Sequence, residues 1–199
     1  MTEPLVFSHG IAAATFDAVA VAWFAFEGVM GIRQRWRTAS HSLVPRDPTY
    51  IVLIACIGGS VFAAERLGRH GGVLWPGGRL WPVIAGIALI AAGTGLRAWS
   101  IASLGRFFQY QIEIQSGHQV VTTGPYRYVR HPSYTGISLA LAGFALASGD
   151  VLSLLAVAVL GGLGLAVRIR VEERQLTAAL GAEYENFAAH RKRLIPGVW

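Results

Sequence analysis

Two short segments of this chain carry residue types that could do chemistry together. The first is Thr122-Thr123-Gly124-Pro125-Tyr126-Arg127-Tyr128-Val129-Arg130-His131-Pro132-Ser133-Tyr134-Thr135-Gly136. It puts three Tyr, two Arg and a His immediately before an apolar run. Tyr and Arg favour the headgroup layer of a membrane, and Pro132 suits the first turn of a helix. An interfacial helix start would account for that composition, but not for the crowding of His131, Tyr134 and both Arg at one entry point. The second segment is Arg168-Ile169-Arg170-Val171-Glu172-Glu173-Arg174. On a continuous helix Arg168 and Glu172 are i and i+4 and share a face. They read either as an exposed ion pair or as a working pair: an Arg that clamps a carboxylate, and a Glu that receives an ammonium or orients that Arg.

The elements that must position these segments follow from composition. Of 199 residues, 53% are hydrophobic and only 14% charged, against about 25% charged in a typical soluble domain. The shell of a soluble fold cannot be built from so few polar residues. A disordered chain is excluded by the same numbers, and a disulfide-stapled module by the single cysteine, Cys56. Five apolar runs are expected to form membrane helices: Ile11–Ile32, Tyr50–Ala64 (a short one), Leu80–Leu96, Tyr134–Ala147 and Val151–Val167. Ser148-Gly149-Asp150 makes the last two a tight helical hairpin. From Arg168 onward, Leu176, Leu180, Tyr184 and Phe187 predict an amphipathic helix lying back against the protein or the membrane surface.

The net charge of +6 comes from 17 Lys and Arg against 11 Asp and Glu. These bases sit between apolar runs, where they orient a membrane protein, so no nucleic-acid partner is expected. Arg33, Arg35 and Arg37 around Trp36 read as a cytoplasmic interfacial anchor. The distribution of bases predicts an N-terminus outside and a C-terminus in the cytoplasm, in the cell inner membrane. Arg66, Arg69 and Arg79 run against that count. Start-of-chain composition does not read as a cleaved signal peptide. Asp17 and Glu27 lie within the first run and read as structural, with Glu27 near enough to an end to reach water. The six His residues show no metal-ligand spacing, so no metal is expected. Gly93-Thr94-Gly95 and Gly161-Gly162-Leu163-Gly164 lie inside apolar runs and are read as helix-packing positions.

The two segments, with their flanks, resemble the isoprenylcysteine carboxyl methyltransferase family. The resemblance runs through Leu104-Gly105-Arg106-Phe107-Phe108, Gly117-His118-Gln119-Val120-Val121-Thr122-Thr123-Gly124-Pro125-Tyr126 and Arg130-His131-Pro132-Ser133-Tyr134-x-Gly136. It closes with Glu172-Glu173-x-x-Leu176, Gly181-x-x-Tyr184 and Leu194-Ile195-Pro196-Gly197. It implies an all-α polytopic membrane enzyme that uses S-adenosylmethionine without a Rossmann fold. It also implies one integral-membrane domain, 1–199, with residues 1–100 mainly framework and 101–199 the cofactor-binding catalytic half.

Residue by residue, the resemblance assigns the reacting end to Arg168 and Glu172. His131 and Tyr134 should touch the cofactor, Gly124, Pro125 and Tyr126 should shape its pocket, and His118, Gln119 and Val120 should line the nucleoside end. Arg130 and Glu172 complete the expected cofactor-binding set. The implied acceptor is the carboxylate or thiol of a lipidic or small apolar substrate drawn from the bilayer, with membrane lipids around it. Three other readings stay open at this point: a phospholipid amine N-methyltransferase, an NADPH-dependent sterol-type reductase with a related C-terminal pattern, and an accessory membrane protein that binds no nucleotide.

Overall fold

In the computed structural model the described residues are 5–7, 10–38, 48–70, 75–76, 80–109 and 119–199. His118, the side chains of Arg35, Trp36 and Arg37, the connection up to Asp47, and Arg79 lie outside them. Six α-helices follow in order: α1 (Ile11–Thr38), α2 (Pro48–His70), α3 (Leu80–Leu104), α4 (Pro132–Ala147), α5 (Val151–Leu180) and α6 (Ala182–Ala189). Among the described residues there is no strand, only a single parallel bridge between Val129 and Lys192. The expected all-α membrane architecture is what the chain adopts.

Local sequence sets the helix ends. Pro48, Pro82 and Pro132 each stand in the first turn of their helix, where the missing N–H leaves no intrahelical bond unmade. Asp150 caps α5: its Oδ1 accepts from the N–H groups of Leu152 at 2.7 Å and Ser153 at 3.3 Å. Gly181, with φ +53°, ends α5 in a backbone conformation that favours glycine, and α6 leaves from it.

Four helices (α1, α2, α3 and α5) are long and apolar enough to cross a membrane. The second run, short in the sequence, extends to 23 residues as α2. The fourth run differs. α4 has 16 residues, about 24 Å at ~1.5 Å per residue, against a hydrocarbon core of about 30 Å. Ten of those residues are buried, because α4 is the inner helix of the bundle, packed against α3 and α5. A helix screened from lipid by its neighbours need not match the bilayer thickness itself.

The α3–α4 contact is made backbone to backbone. Gly86 faces Gly143 and Gly93 faces Gly136, so that a Cβ on Gly93 would lie 2.5 Å from the Gly136 carbonyl oxygen. Only hydrogens fit there, as in close helix pairs inside membranes. On the α2–α5 side, Gly164 receives Cys56, Gly161 sits near Ser60, and the Ser153 hydroxyl donates to the Ala64 carbonyl at 3.0 Å. Gly95 and Gly162 face open space and take no part in this packing. Phe16 of α1 rests on Phe144 of α4, ring centroids 5.3 Å apart. Val21, Val29, Ile51, Phe62, Ile84, Leu155, Val159 and Leu163 form the exposed apolar girdle.

One expectation for the tail is corrected. The charged stretch after Arg168 does not form a separate surface helix, because α5 runs unbroken through it to Leu180. Nothing from Arg168 to Leu180 breaks a helix, and the first glycine after it is Gly181. Leu176, Leu180, Tyr184 and Phe187 turn inward together as cavity wall.

Candidate active site

The middle of α1, the C-terminal parts of α3 and α5 and the N-terminal parts of α2 and α4 meet around a cavity of ≈ 380 Å³, within the usual range for small-molecule pockets. Gln119, Val120, Tyr126, Arg130 and His131 line it from the segments around the start of α4, and Trp23, Phe24, Leu53, Ile54, Ile57 and Ile137 line it from the membrane helices. Polar groups crowd the end near the start of α4, and aliphatic and aromatic carbon lines most of the rest, with Glu27 and Arg97 set into it.

Tyr134, Arg168 and Glu172 meet at the polar end. The Tyr134 hydroxyl donates to Glu172 Oε2 at 2.6 Å and accepts from Arg168 Nε at 3.3 Å. Arg168 is 1% exposed, and its Nη1 donates to the Thr49 hydroxyl of α2 at 2.9 Å. The i, i+4 spacing on α5 presents Arg168 and Glu172 on one face, and the first turn of α4 brings Tyr134 between them.

Glu173, one residue on, turns to another side of α5. Its Oε1 lies 3.2 Å from His131 Nε2 and 2.9 Å from Arg130 Nη1, and its Oε2 accepts from Arg193 Nη2 at 2.8 Å. His131 stacks on Tyr134, centroids 5.7 Å apart, and its Nδ1 lies 4.0 Å from Glu172 Oε1. The C-terminal segment fastens this corner. The Arg130 and His131 N–H groups donate to the carbonyls of Lys192 and Arg193 at 2.8 and 2.9 Å, and the Thr135 hydroxyl donates to the Leu194 carbonyl at 2.8 Å.

Eight of the expected site residues line this one cavity: Gln119, Val120, Tyr126, Arg130, His131, Tyr134, Arg168 and Glu172. Gly124 and Pro125 stand behind the wall. Gly124 has φ +59°, and a Cβ on it would collide with the Ser103 hydroxyl, so the turn that delivers Tyr126 demands glycine. Pro125 is buried beneath. Burial first, and then the Glu172 charge, push the Tyr126 hydroxyl far above the ordinary tyrosine range; Arg97 offsets part of this. Tyr184 of α6 is raised by burial and by the charges of Glu173 and Glu172. Both rings stay neutral.

Sequence reasoning missed several contributors. Glu27 does not simply reach water: it pairs with Arg97 of α3, whose Nη2 donates to Glu27 Oε2 at 2.8 Å. Arg97 directly follows the third apolar run, Leu80–Leu96, and lies within α3. An Arg inside an apolar stretch requires a counter-charge at its own depth, and that was the available signal. Asp17 is exposed on the outer face of α1. Thr49 and Glu173 carry no role in the sequence reading, and Arg191-Lys192-Arg193 reads there as an anionic-lipid contact or a solvated end; the fold instead turns Arg193 onto Glu173.

Residues 86–178 match the isoprenylcysteine carboxyl methyltransferase (ICMT) family. The chain is similar to this family over that stretch. That stretch takes in most of α3, the 3-10 turn at Gly124–Arg127, α4 and most of α5, hence Tyr134, Arg168 and Glu172. Protein-S-isoprenylcysteine O-methyltransferase B of Arabidopsis thaliana is 32% identical over 120 residues, which are 59% of this chain and 61% of that protein. The Schizosaccharomyces pombe protein-S-isoprenylcysteine O-methyltransferase is 29% identical over 114 residues, 56% of this chain and 47% of its own length. The matched stretch thus spans less than two thirds of these relatives. A solved structure of the eukaryotic intramembrane Ras methyltransferase ICMT superposes with a TM-score of 0.60 at 20% identity, covering 90% of this chain and 67% of that one. The ICMT-like fold therefore extends beyond the matched stretch into α1 and α2, and the chain is an integral membrane protein.

Proposed function

We propose that the chain is a membrane methyltransferase that uses S-adenosylmethionine to methylate the carboxylate, or the thiol, of a lipidic or small apolar acceptor such as an isoprenylcysteine. The observation that supports this most is the meeting of Tyr134, Arg168 and Glu172 at the polar end of a cavity whose far walls are apolar. Such a cavity suits a polar donor entering from water and an apolar acceptor entering from the bilayer.

The residues present fit the donor. Gln109 Oε1, Arg130 Nε and the Tyr184 hydroxyl are buried in residues that line the cavity and have no hydrogen-bond partner among the described residues. Buried polar atoms of this kind are costly unless something pairs with them. Glu172 suits the ammonium of an amino acid, Arg130 its carboxylate, and Gln109, Gln119 and Tyr184 the polar edge of a nucleoside. Gly124 and Pro125 hold the turn behind Tyr126. The faces of Tyr126 and Tyr134 attract a sulfonium, a contact worth about 0.5 to 2 kcal/mol. His118 belongs to the same proposed set on its place in the motif.

When bound, S-adenosylmethionine supplies a methyl carbon for the acceptor oxygen or sulfur, its own sulfur keeping the bonding pair, so that an ionised acceptor transfers no proton. Arg168 holds the acceptor carboxylate, with Tyr134 and Thr49 fixing the guanidinium. Alignment and exclusion of water then carry the catalysis, in place of a strong base. Buried Arg168 favours an anionic acceptor over an amine, since it repels an ammonium and an amine must first lose a proton.

We read the chain as one integral-membrane domain of the cell inner membrane, with the N-terminus outside and the site and C-terminus on the cytoplasmic side. Arg33, Arg106, Arg127, Arg170 and Arg174 at the site end support that orientation. Calorimetric titration of the detergent-solubilised protein with S-adenosylmethionine, S-adenosylhomocysteine and NADPH tests the proposal. Binding of the first two is expected, and binding of NADPH alone refutes it.

A further inference from the structure

Three helices converge on one guanidinium inside the bundle. Arg97 of α3 is 3% exposed, and it lies within an apolar helix where an unpaired cation is costly. Its Nη2 donates to Glu27 Oε2 of α1 at 2.8 Å, its Nε lies 2.5 Å from Glu27 Oε1, and its Nη1 donates to the Ser133 hydroxyl of α4 at 2.6 Å. The missing side chain of Gly136 permits this approach, since a Cβ there would lie 2.9 Å from Arg97 Cβ. Ser133 sits between Pro132 and Tyr134 in the first turn of α4. That turn is thus gripped from two sides. The C-terminal segment holds its outer side through His131 and Thr135, and Arg97 holds its inner side through Ser133.

We infer that the Glu27–Arg97 pair positions the reacting groups: α1 acts through Arg97 on Ser133 and so fixes the turn that presents Tyr134 to Arg168 and Glu172. Glu27 lies 70 residues from Arg97 and outside the family-matched stretch. Its work is to hold the guanidinium in a two-pronged grip, which a planar fork accepts and a point charge does not. Ser133 then receives its hydrogen bond from a cation that cannot swing. The consequence is that the first helix is part of the site and not only framework.

This inference rests on the proposed methyl transfer, so its test separates the two. The variants are Glu27→Gln, Glu27→Asp, Ser133→Ala and the double variant Glu27→Gln/Ser133→Ala, each purified in detergent. Turnover of farnesylated cysteine is counted per S-adenosylhomocysteine-binding site, and thermal midpoints are recorded alongside. Each of Glu27→Gln and Ser133→Ala is expected to lower kcat per site by about a hundredfold, the cost of a misplaced catalytic group. The double variant should lose no more than either single one, because both act through one contact. Glu27→Asp should recover part of the rate.

A merely structural role would lower the thermal midpoint and the number of binding sites while leaving kcat per site unchanged, which would overturn the inference. Losses that multiply in the double variant would overturn it as well. Should the unaltered protein bind no methyl donor, the proposed function fails by itself. The thermal midpoints still decide the pair: additive shifts for Glu27→Gln and Ser133→Ala refute the coupling.

Discussion

Replacing Tyr134 with Phe removes one oxygen from the centre of the site and little else. The phenyl ring keeps the stack on His131 and the volume of the helix start, so the fold and the α3–α4 contact stay as they are. Lost are a 2.6 Å donation to a carboxylate and a 3.3 Å acceptance from a guanidinium. Hydrogen bonds to charged groups contribute about 1.5–3 kcal/mol. Arg168 keeps its bond to Thr49, so the shorter bond to Glu172 dominates the loss. At about 1.4 kcal/mol per factor of ten, the expected fall is about tenfold to a hundredfold. The assay is transfer of tritiated methyl from S-adenosylmethionine to farnesylated cysteine, with S-adenosylhomocysteine affinity measured by calorimetry. The fall should appear in turnover and in affinity, because the proposed function sets Glu172 at both the donor and the reacting end. Unchanged values for both would refute the role given to this hydroxyl.

Arg168→Ala and Glu172→Ala should each abolish turnover while membrane insertion persists; full turnover in either variant removes that residue from the reacting end. Gly136→Val drives a side chain against the Gly93 carbonyl, 2.6 Å from where even a Cβ would stand, and overpacking of this kind costs about 1–3 kcal/mol or more. A lowered thermal midpoint and reduced yield of folded protein check it. Asp150→Ala leaves two N–H groups of α5 without their cap. It should cost about 1 kcal/mol, read from the thermal midpoint in detergent. Tyr126 and Tyr184 both hold their protons more tightly folded than unfolded. Their contribution to stability is therefore complete below the unfolded value of about 10 and is lost as pH climbs past it. Thermal midpoints that stay flat through that alkaline range would contradict the burial of these two rings.

The apolar runs were legible because each depends on its own residues: some twenty consecutive carbon-rich side chains form a helix in a membrane whatever surrounds them. The helix start at Pro132, the turn at Ser148-Gly149-Asp150 and the shared face of Arg168 and Glu172 are equally local. The motif around Arg130-His131-Pro132-Ser133-Tyr134 was readable as a crowding of chemistry at a helix entry. The continuation of α5 past Arg168 was not, because a change from apolar to charged composition resembles the end of one helix and the start of another. Only the backbone shows that no break lies between them.

By itself, the sequence determined a helical membrane protein, the place of its polar cluster and the residue types available there. The tertiary structure alone decided which partners those residues have. Glu27 finds Arg97, Thr49 finds Arg168, and the carbonyls of Lys192, Arg193 and Leu194 pin the turn before Tyr134. The reason is physical. Helix formation is governed by neighbours within a turn, whereas a buried charge is satisfied by whatever the packing brings within about 3 Å, and glycine contacts between α3 and α4 set that packing.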